Sequence, residues 1–259
     1  GEYRYCNMGR ETFAVPVKWE DGWPVCSWET GLVEKEYDTD GHATGKMKFS
    51  SADWDEMPAP RKDDFNGLLD FEWISLRDRK PKMINTTECE GFLRLHGSGS
   101  LSGKDETSFV ARRQTSFSYE ATAKMEVSFE NAAGTGAYTA AGLSAFQCEN
   151  AYYNLQVAKK DGKNFVQVIK QDTTGNNIIA EKDISDALKN GKISCELKIT
   201  QKRQDLYFSY KTDGEWIMLS DRDDATILSV EKAGGFVGTI IGMFAEGNGV
   251  VADFDWFQM

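Results

Sequence analysis

The chain has 259 residues, of which 40% are hydrophobic and 12% aromatic, enough for one large domain or one domain with an appendage. Its 41 Asp and Glu residues exceed its 30 Lys and Arg residues, and the net charge of -11 argues against nucleic acid as a partner. No apolar run reaches the ~18 residues that span a bilayer, so we expect no membrane span, and a neutral ligand fits this chemistry best.

The cysteine and histidine patterns indicate neither a disulfide framework, nor a zinc site, nor a nucleophilic centre. The five cysteines are widely scattered and have no CxxC spacing, so we expect reduced and mostly buried thiols. The chain has only two histidines, His42 and His96. His96 alternates with Leu93 and Leu95 in a strand-like run, which favours a structural role over catalysis.

The first 62 residues contain one predicted hairpin followed by an irregular segment. Residues 12–19 are predicted to form a strand, Glu20-Asp21-Gly22 a turn, and a second strand begins at Trp23. Residues 34–62 are charged, contain Gly and Pro, and show no sustained period, so we interpret them as a linker or strap. The main domain is expected to begin at Asp63.

From Asp63 onward, short strands alternate with turn signals, and several turns carry Asp-Gly. Helix is almost absent, except that Ser185 is a candidate N-cap for a turn or two over residues 184–190. This pattern predicts an all-β fold, a two-sheet antiparallel β-sandwich. The predicted strands cover residues 91–96, 108–113, 119–129, 152–157, 165–170, 206–210 and 216–219.

Two apolar runs at the end of the chain, residues 236–245 and 250–257, are joined by Glu246-Gly247-Asn248-Gly249. The glycines supply positive φ angles, so the sequence predicts a hairpin here. In the second run, a period of two places Asp253 and Asp255 on one face, and Phe254 and Trp256 on the other.

Two separated stretches resemble one enzyme family. Gly9-Arg10-Glu11-Thr12-Phe13, followed by Trp19-Glu20-Asp21-Gly22-Trp23-Pro24, resembles the last part of the five-bladed catalytic propeller of glycoside hydrolase family 43 β-xylosidases. The rest of the chain resembles the concanavalin-like C-terminal domain of the same enzymes. The motifs that carry this second likeness are Asp63-Asp64-Phe65, Leu101-Ser102, Phe109-Val110-Ala111-Arg112-Arg113-Gln114, Asn150-Ala151-Tyr152-Tyr153, Gly234-Gly235-Phe236 and Ala252-Asp253-Phe254-Asp255-Trp256-Phe257.

The resemblance implies that residues 1–33 are a propeller remnant, that residues 34–62 are a linker or strap, and that residues 63–259 form a concanavalin-like jelly roll. The family's catalytic carboxylates lie in propeller blades that this sequence does not contain, so Gly1 is interpreted as a truncation point and the chain alone is not expected to be an enzyme. The parent resembles a β-xylosidase or α-arabinofuranosidase that degrades xylan or xylo-oligosaccharides. The expected partners are the missing propeller and xylose or xylo-oligosaccharides. A cytoplasmic location is expected, while an extracellular one and a homo-oligomeric parent stay open.

The resemblance also implies five site residues. Arg10 takes the place of an arginine that lines the sugar pocket, against the alternative of a leftover surface residue. Phe236 is expected at the mouth of that pocket, against the alternative of a core phenylalanine. Asp64, Asp253 and Asp255 are candidates for a structural Ca²⁺ site, against the alternative of a solvated acidic edge.

Other residues of interest have structural interpretations. Arg112 and Arg113 are expected on opposite faces of one strand, with one paired to a carboxylate and the other exposed. Four further aromatic residues are interpreted as core residues rather than as a stacking surface for sugar rings. They are Phe146, Tyr152, Tyr153 and Trp216.

Three functions compete. The first is an accessory sandwich that packs on the propeller and helps shape its substrate pocket. The second is a stand-alone xylan-binding module, which requires an exposed aromatic groove. The third, a laminarinase-type glycosidase, requires a Glu-x-Asp-x-x-Glu strand that the sequence lacks.

Overall fold

The structure, a computed structural model, describes residues 5–10, 12–46, 55–104, 106–132 and 139–259. It contains two compact units: Arg10–Trp54 forms one, and Gly1–Gly9 with Asp55–Met259 forms the other. Across the described ranges, no helix is long and apolar enough to cross a membrane.

The smaller unit contains two short antiparallel hairpins, β1 (Val17–Glu20) with β2 (Trp23–Cys26) and β3 (Glu36–Tyr37) with β4 (Ala43–Gly45). The first confirms the predicted hairpin, although its first strand is shorter than predicted. The second lies in the segment that we interpreted as irregular, so that interpretation was wrong there. The turn of the second hairpin forms because the Asp38 carboxylate accepts hydrogen bonds from the backbone N–H groups of Asp40 and His42, at 3.0 and 2.8 Å.

The larger unit is a sandwich of two antiparallel sheets, as predicted. One sheet is formed by β5 (Lys62–Asp63), β7 (Ile84–Asn85), β8 (Leu93–His96), β10 (Ser118–Ser128), β15 (Leu188–Lys189), β16 (Lys192–Lys202), β17 (Asp205–Lys211), β18 (Ile217–Asp224) and β20 (Val251–Gln258). The order of these strands is β18-β17-β16-β10-β20-β8-β7, with β15 beside β16 and β5 beside β20.

The second sheet is formed by β6 (Ile74–Ser75), β9 (Ser108–Arg113), β11 (Thr139–Cys148), β12 (Ala151–Lys160), β13 (Lys163–Asp172), β14 (Gly175–Asp183) and β19 (Ile240–Glu246). The order of these strands is β14-β13-β12-β11-β19-β9-β6. The core lies between the two sheets, because alternate residues of each strand point inward. The inward residues of β10 illustrate this, since Ala121, Ala123, Met125 and Val127 are all buried.

The predicted C-terminal hairpin is wrong in its pairing. β19 pairs with β11 and β9 in one sheet, whereas β20 pairs with β10 and β8 in the other. The glycines of the connection, Gly247 and Gly249, have φ of 89° and 84° and carry the chain across the core rather than around a hairpin. Because each strand has a strongly apolar face, the two stabilise the fold more by facing each other across the core.

A β-bulge changes which aromatic residues of β20 enter the core. In the pairing with β10, Met125 lies opposite Phe254 and Lys124 opposite Trp256, so Asp255 is the extra residue. Phe254 and Phe257 are fully buried as a result, while Trp256 is only partly buried. The prediction that Phe254 and Trp256 share a face was therefore wrong.

Helical structure is limited to short pieces in the described chain. Two 3₁₀ turns cover Ser185–Ala187 and Ala225–Leu228, and α1 covers Val230–Ala233. The predicted N-cap at Ser185 was wrong, because its hydroxyl accepts the N–H of Asn164 at 3.0 Å instead. The sequence signal for α1 was missed: Ser229 caps its start and Gly234, with φ of 81°, ends it.

Candidate functional site

Phe236 lies in an exposed loop, residues 234–238, which we call the Phe236 loop. Its ring is 67% exposed and the neighbouring Val237 is 54% exposed, so the alternative of a core phenylalanine is excluded. Gly234 and Gly235 both have positive φ, 81° and 78°, which is the backbone freedom that glycine provides. These angles turn the chain from α1 towards β19, and Phe236 lies before that strand begins.

The buried amide side chain of Gln147 holds the Phe236 loop in place. Gln147 is 4% exposed, and its Nε2 donates to the carbonyl oxygens of Gly234 and Val237 at 3.0 and 3.3 Å. These two carbonyls lie on either side of Phe236 in the chain. The backbone on both sides of the exposed Phe236 ring is thus held by hydrogen bonds from Gln147.

The N-terminal segment of the larger unit is packed against the same loop. Gly9 and Gly238 lie so close that a Cβ on Gly238 would come within 2.1 Å of the Gly9 nitrogen. Next to this contact, the N–H of Thr239 donates to the Asn7 carbonyl at 2.7 Å, and Asn7 Nδ2 donates to the Ala225 carbonyl at 3.0 Å. Residues 7–9 are therefore anchored at the base of the Phe236 loop. Arg10 itself is exposed and belongs to the smaller unit.

The three candidate calcium ligands do not form a cation site among the described side chains. Asp253 is 4% exposed and forms a two-point ion pair with Arg94, and Lys192 approaches it at 3.6 Å. Asp255 pairs with Lys124 at 2.7 Å, whereas Asp64 is exposed. Within the described ranges, no group of three His, Cys, Asp or Glu residues is arranged to hold a metal. The carboxylates of Asp253 and Asp255 thus face basic side chains, an arrangement that does not fit Ca²⁺.

Asp63, rather than Asp64, is the acidic residue that the fold places beside β20. It pairs with Phe257 in the β5–β20 ladder, and its carboxylate accepts the Trp73 Nε1–H at 2.7 Å and the Phe65 N–H at 3.0 Å. Arg112 Nη2 lies 3.4 Å from the same carboxylate. This confirms that one arginine of the β9 pair faces a carboxylate, while Arg113 is exposed.

The predicted aromatic residues are mostly in the core. Phe146, Tyr152 and Tyr153 are between 1% and 3% exposed. The fourth ring, Trp216, is partly buried beneath the ammonium groups of Lys198 and Lys211, at 4.4 and 5.2 Å. These four residues therefore do not form the exposed groove that a stand-alone xylan-binding module requires.

The loop that contains Leu101 covers part of the outer face of the second sheet, which contains β6 and β19. Leu101 is fully buried against a second apolar cluster, which includes Phe109, Phe146 and Phe244. Its N–H donates to Glu246 Oε1 at 2.7 Å, and burial raises the pKa of that carboxyl. No local sequence pattern predicts an ordered loop here, because its glycines and serines resemble a flexible connection.

Comparison with known proteins gives a consistent family. The family model described as the β-xylosidase C-terminal concanavalin A-like domain matches residues 62–259. A non-reducing end α-L-arabinofuranosidase of Bacteroides ovatus is 30% identical over 98% of this chain and 46% of that protein. A xylosidase/arabinosidase of Butyrivibrio fibrisolvens is 30% identical over 96% of this chain and 45% of that protein.

A solved structure agrees with these matches. The xylan β-1,4-xylosidase of Bacillus halodurans C-125 superposes with a TM-score of 0.73 and 27% identity, over 98% of this chain and 47% of that one. This chain thus spans about half the length of the proteins that it matches.

Proposed function

The chain belongs to the family of β-xylosidase C-terminal concanavalin A-like domains, and from this premise we propose that it is a non-catalytic module of a larger glycosidase. In that enzyme the module packs on a catalytic propeller and helps to shape its substrate pocket. The observation that carries the proposal is the Phe236 loop. It presents a 67% exposed aromatic ring on a base fixed by Gln147, which is the form expected of a side chain that completes another domain's site.

Hydrolysis of a glycosidic bond needs two carboxylates that flank the scissile bond, and we propose that the propeller supplies them. The length of the relatives supports this division of labour, because this chain covers only 46% of the Bacteroides ovatus protein. The family model that it matches describes a C-terminal domain. The remaining half of such an enzyme is large enough to contain the catalytic centre.

We propose that the module closes one side of the sugar pocket through Phe236. An apolar ring at the mouth excludes water and packs on the carbon face of a pyranose, which limits the enzyme to the ends of short chains. Arg10 is proposed to contribute hydrogen bonds to vicinal hydroxyl groups of the sugar, since a guanidinium offers five donors.

The names of the relatives support a proposed substrate class. They are named as xylosidases and arabinosidases, so we propose that the parent enzyme releases xylose or arabinose from the ends of xylan-derived oligosaccharides. The two sugars are both pentoses. Which of them is preferred depends on propeller residues that this chain does not contain.

The role of Phe236 is tested in the parent enzyme with Phe236→Ala, and with Val237→Ala as the matched control. Both side chains are exposed on the same loop, so neither change should affect folding. Loss of the contact between this ring and the bound sugar, about 1.5–3 kcal/mol, would lower kcat/KM for xylobiose by about 10- to 150-fold. An effect of Phe236→Ala no larger than that of Val237→Ala would show that the ring does not reach the substrate.

A further inference from the structure

An open cavity of about 730 Å³ lies at the end of the sandwich where β9 and β20 end and β10 begins. One side is formed by residues 57–61, which approach β20 through two backbone hydrogen bonds between Arg61 and Met259. Much of the wall is apolar, and the ring of Phe71, which lines the cavity, is 92% exposed. The volume and the lining are typical of a site for a small ligand.

Arg112 is a buried, positively charged residue in the lining of this cavity. It points towards the space between the sheets and is only 8% exposed, with its guanidinium carbon 4.3 Å from the centre of the Trp73 ring. Its ion pair with Asp63 is long, at 3.4 Å, and that carboxylate already accepts hydrogen bonds from Trp73 and Phe65. Arg112 Nε is buried and has no hydrogen-bond partner among the described residues. Its charge is therefore only partly compensated, and burial lowers its pKa.

Two further donors lie at the cavity. The Tyr119 hydroxyl is fully buried without a partner in the described part of the chain, and burial raises its pKa, so it is a neutral donor. Arg113 is exposed and forms no ion pair with a described residue. The acidic side chains at the wall are already engaged, Glu72 by Arg61 and Glu120 by Lys198. Among the described acidic side chains, the charge of Arg112 is therefore compensated only in part by Asp63, and that of Arg113 is not compensated.

We propose that the cavity binds a small carboxylate carried on an aromatic ring. Arg112 donates to the carboxylate, as guanidinium groups do in strong charge-assisted pairs, while Arg113 adds a second positive charge. Phe71 and the apolar wall cover the ring of the ligand. None of the lining residues belongs to the Phe236 loop, so this site does not depend on the function proposed above.

The test uses this chain with benzoate as the probe and benzamide as its uncharged counterpart, with binding followed by ligand-observed NMR. We expect saturable binding of benzoate and about tenfold weaker binding of benzamide, because the amide cannot compensate Arg112. Glucuronate carries the same carboxylate on a polar ring and is expected to bind more weakly than benzoate. Tighter binding of glucuronate would overturn the assignment of an aromatic ligand.

Two exposed positions supply variants that should fold normally. Phe71→Ala and Arg113→Gln are both expected to weaken benzoate binding, whereas Arg222→Gln, an exposed arginine paired with Asp205 on another edge of the sandwich, is expected to leave it unchanged. Arg112→Lys keeps the charge but loses the planar donors, and it should weaken binding more than Arg113→Gln. No saturable binding of benzoate up to about 10 mM, equal binding of benzamide, or equal losses in all variants would overturn the proposal.

Discussion

Arg94 and Asp253 stand directly opposite each other on β8 and β20 and form a two-point ion pair, Nε to Oδ1 at 2.6 Å and Nη2 to Oδ2 at 2.9 Å. Because the Asp253 side chain is only 4% exposed, Arg94 is the main group that compensates its charge. The pair raises the pKa of Arg94 through this hydrogen bond. It links the last strand of the chain to the neighbouring strand β8 of its sheet.

Removal of Arg94 should destabilise the sandwich strongly. Arg94→Ala leaves the Asp253 carboxylate largely buried without its main partner, and we expect a loss of about 3 kcal/mol in the free energy of unfolding. Lys124→Ala is the matched control, because Lys124 pairs with Asp255 on the same strand at a more exposed position. That change should cost about 1 kcal/mol or less. Urea denaturation measures both, and equal losses would contradict the importance assigned to the buried pair.

Calcium should not stabilise the fold through Asp253 and Asp255, because basic side chains already neutralise both carboxylates. We expect the melting temperature of this chain to be the same with excess Ca²⁺ and with a chelator. If Ca²⁺ raised the melting temperature in the wild type but not in Asp255→Asn, the sequence-based prediction of a calcium site would be supported instead.

Glu246 should make stability depend on pH in a specific direction. Burial raises its pKa in the folded state above the usual value of 4.5, so the folded protein binds this proton more tightly than the unfolded chain does. The stabilisation is therefore complete below about pH 4.5 and is lost as the pH rises through the raised pKa. Glu246→Gln keeps an acceptor for the Leu101 N–H but does not titrate.

We therefore expect Glu246→Gln to gain stability relative to the wild type as the pH rises above about 4.5. Urea denaturation at a series of pH values measures this difference. Glu149→Gln, which removes an exposed carboxylate, is the control. A stability difference for Glu246→Gln that does not change with pH would mean that burial does not raise the pKa of this carboxyl.

A methyl group at Gly238 should loosen the N-terminal segment. The added Cβ would lie 2.1 Å from the backbone nitrogen of Gly9, so one of the two segments must move. We expect faster hydrogen exchange at the Thr239 amide in Gly238→Ala, because that N–H donates to the Asn7 carbonyl. Gly67→Ala has open space around the new methyl group and serves as the control. Unchanged hydrogen exchange at the Thr239 amide would contradict the close packing of Gly9 on Gly238.

The alternation of apolar residues was sufficient to predict individual strands of the sandwich. β9 has the predicted bounds, and β10 differs from its prediction by one residue at each end. Local pattern determines these strands because one face of each must be buried. Local pattern does not determine which strands pair with each other. The runs that form β19 and β20 resemble a hairpin in sequence, yet their apolar faces pack across the core.

The candidate site was predictable only in part. The glycines around Phe236 indicated an unusual backbone, and the ring is indeed exposed, but its anchoring by Gln147 depends on a contact 87 residues away in the sequence. The calcium prediction treated Asp253 and Asp255 as a pair on one face. The cations that neutralise them, Arg94 and Lys124, come from neighbouring strands whose pairing no local pattern reveals.

The measurement that tests the proposed function most directly is hydrolysis of p-nitrophenyl β-xyloside by this chain alone, by the separately expressed propeller of its parent enzyme, and by the two mixed. We predict no turnover by this chain alone, and a higher kcat/KM for the mixture than for the propeller by itself, because the module completes the pocket. Turnover of the xyloside by this chain alone would contradict the proposal that it is a non-catalytic module.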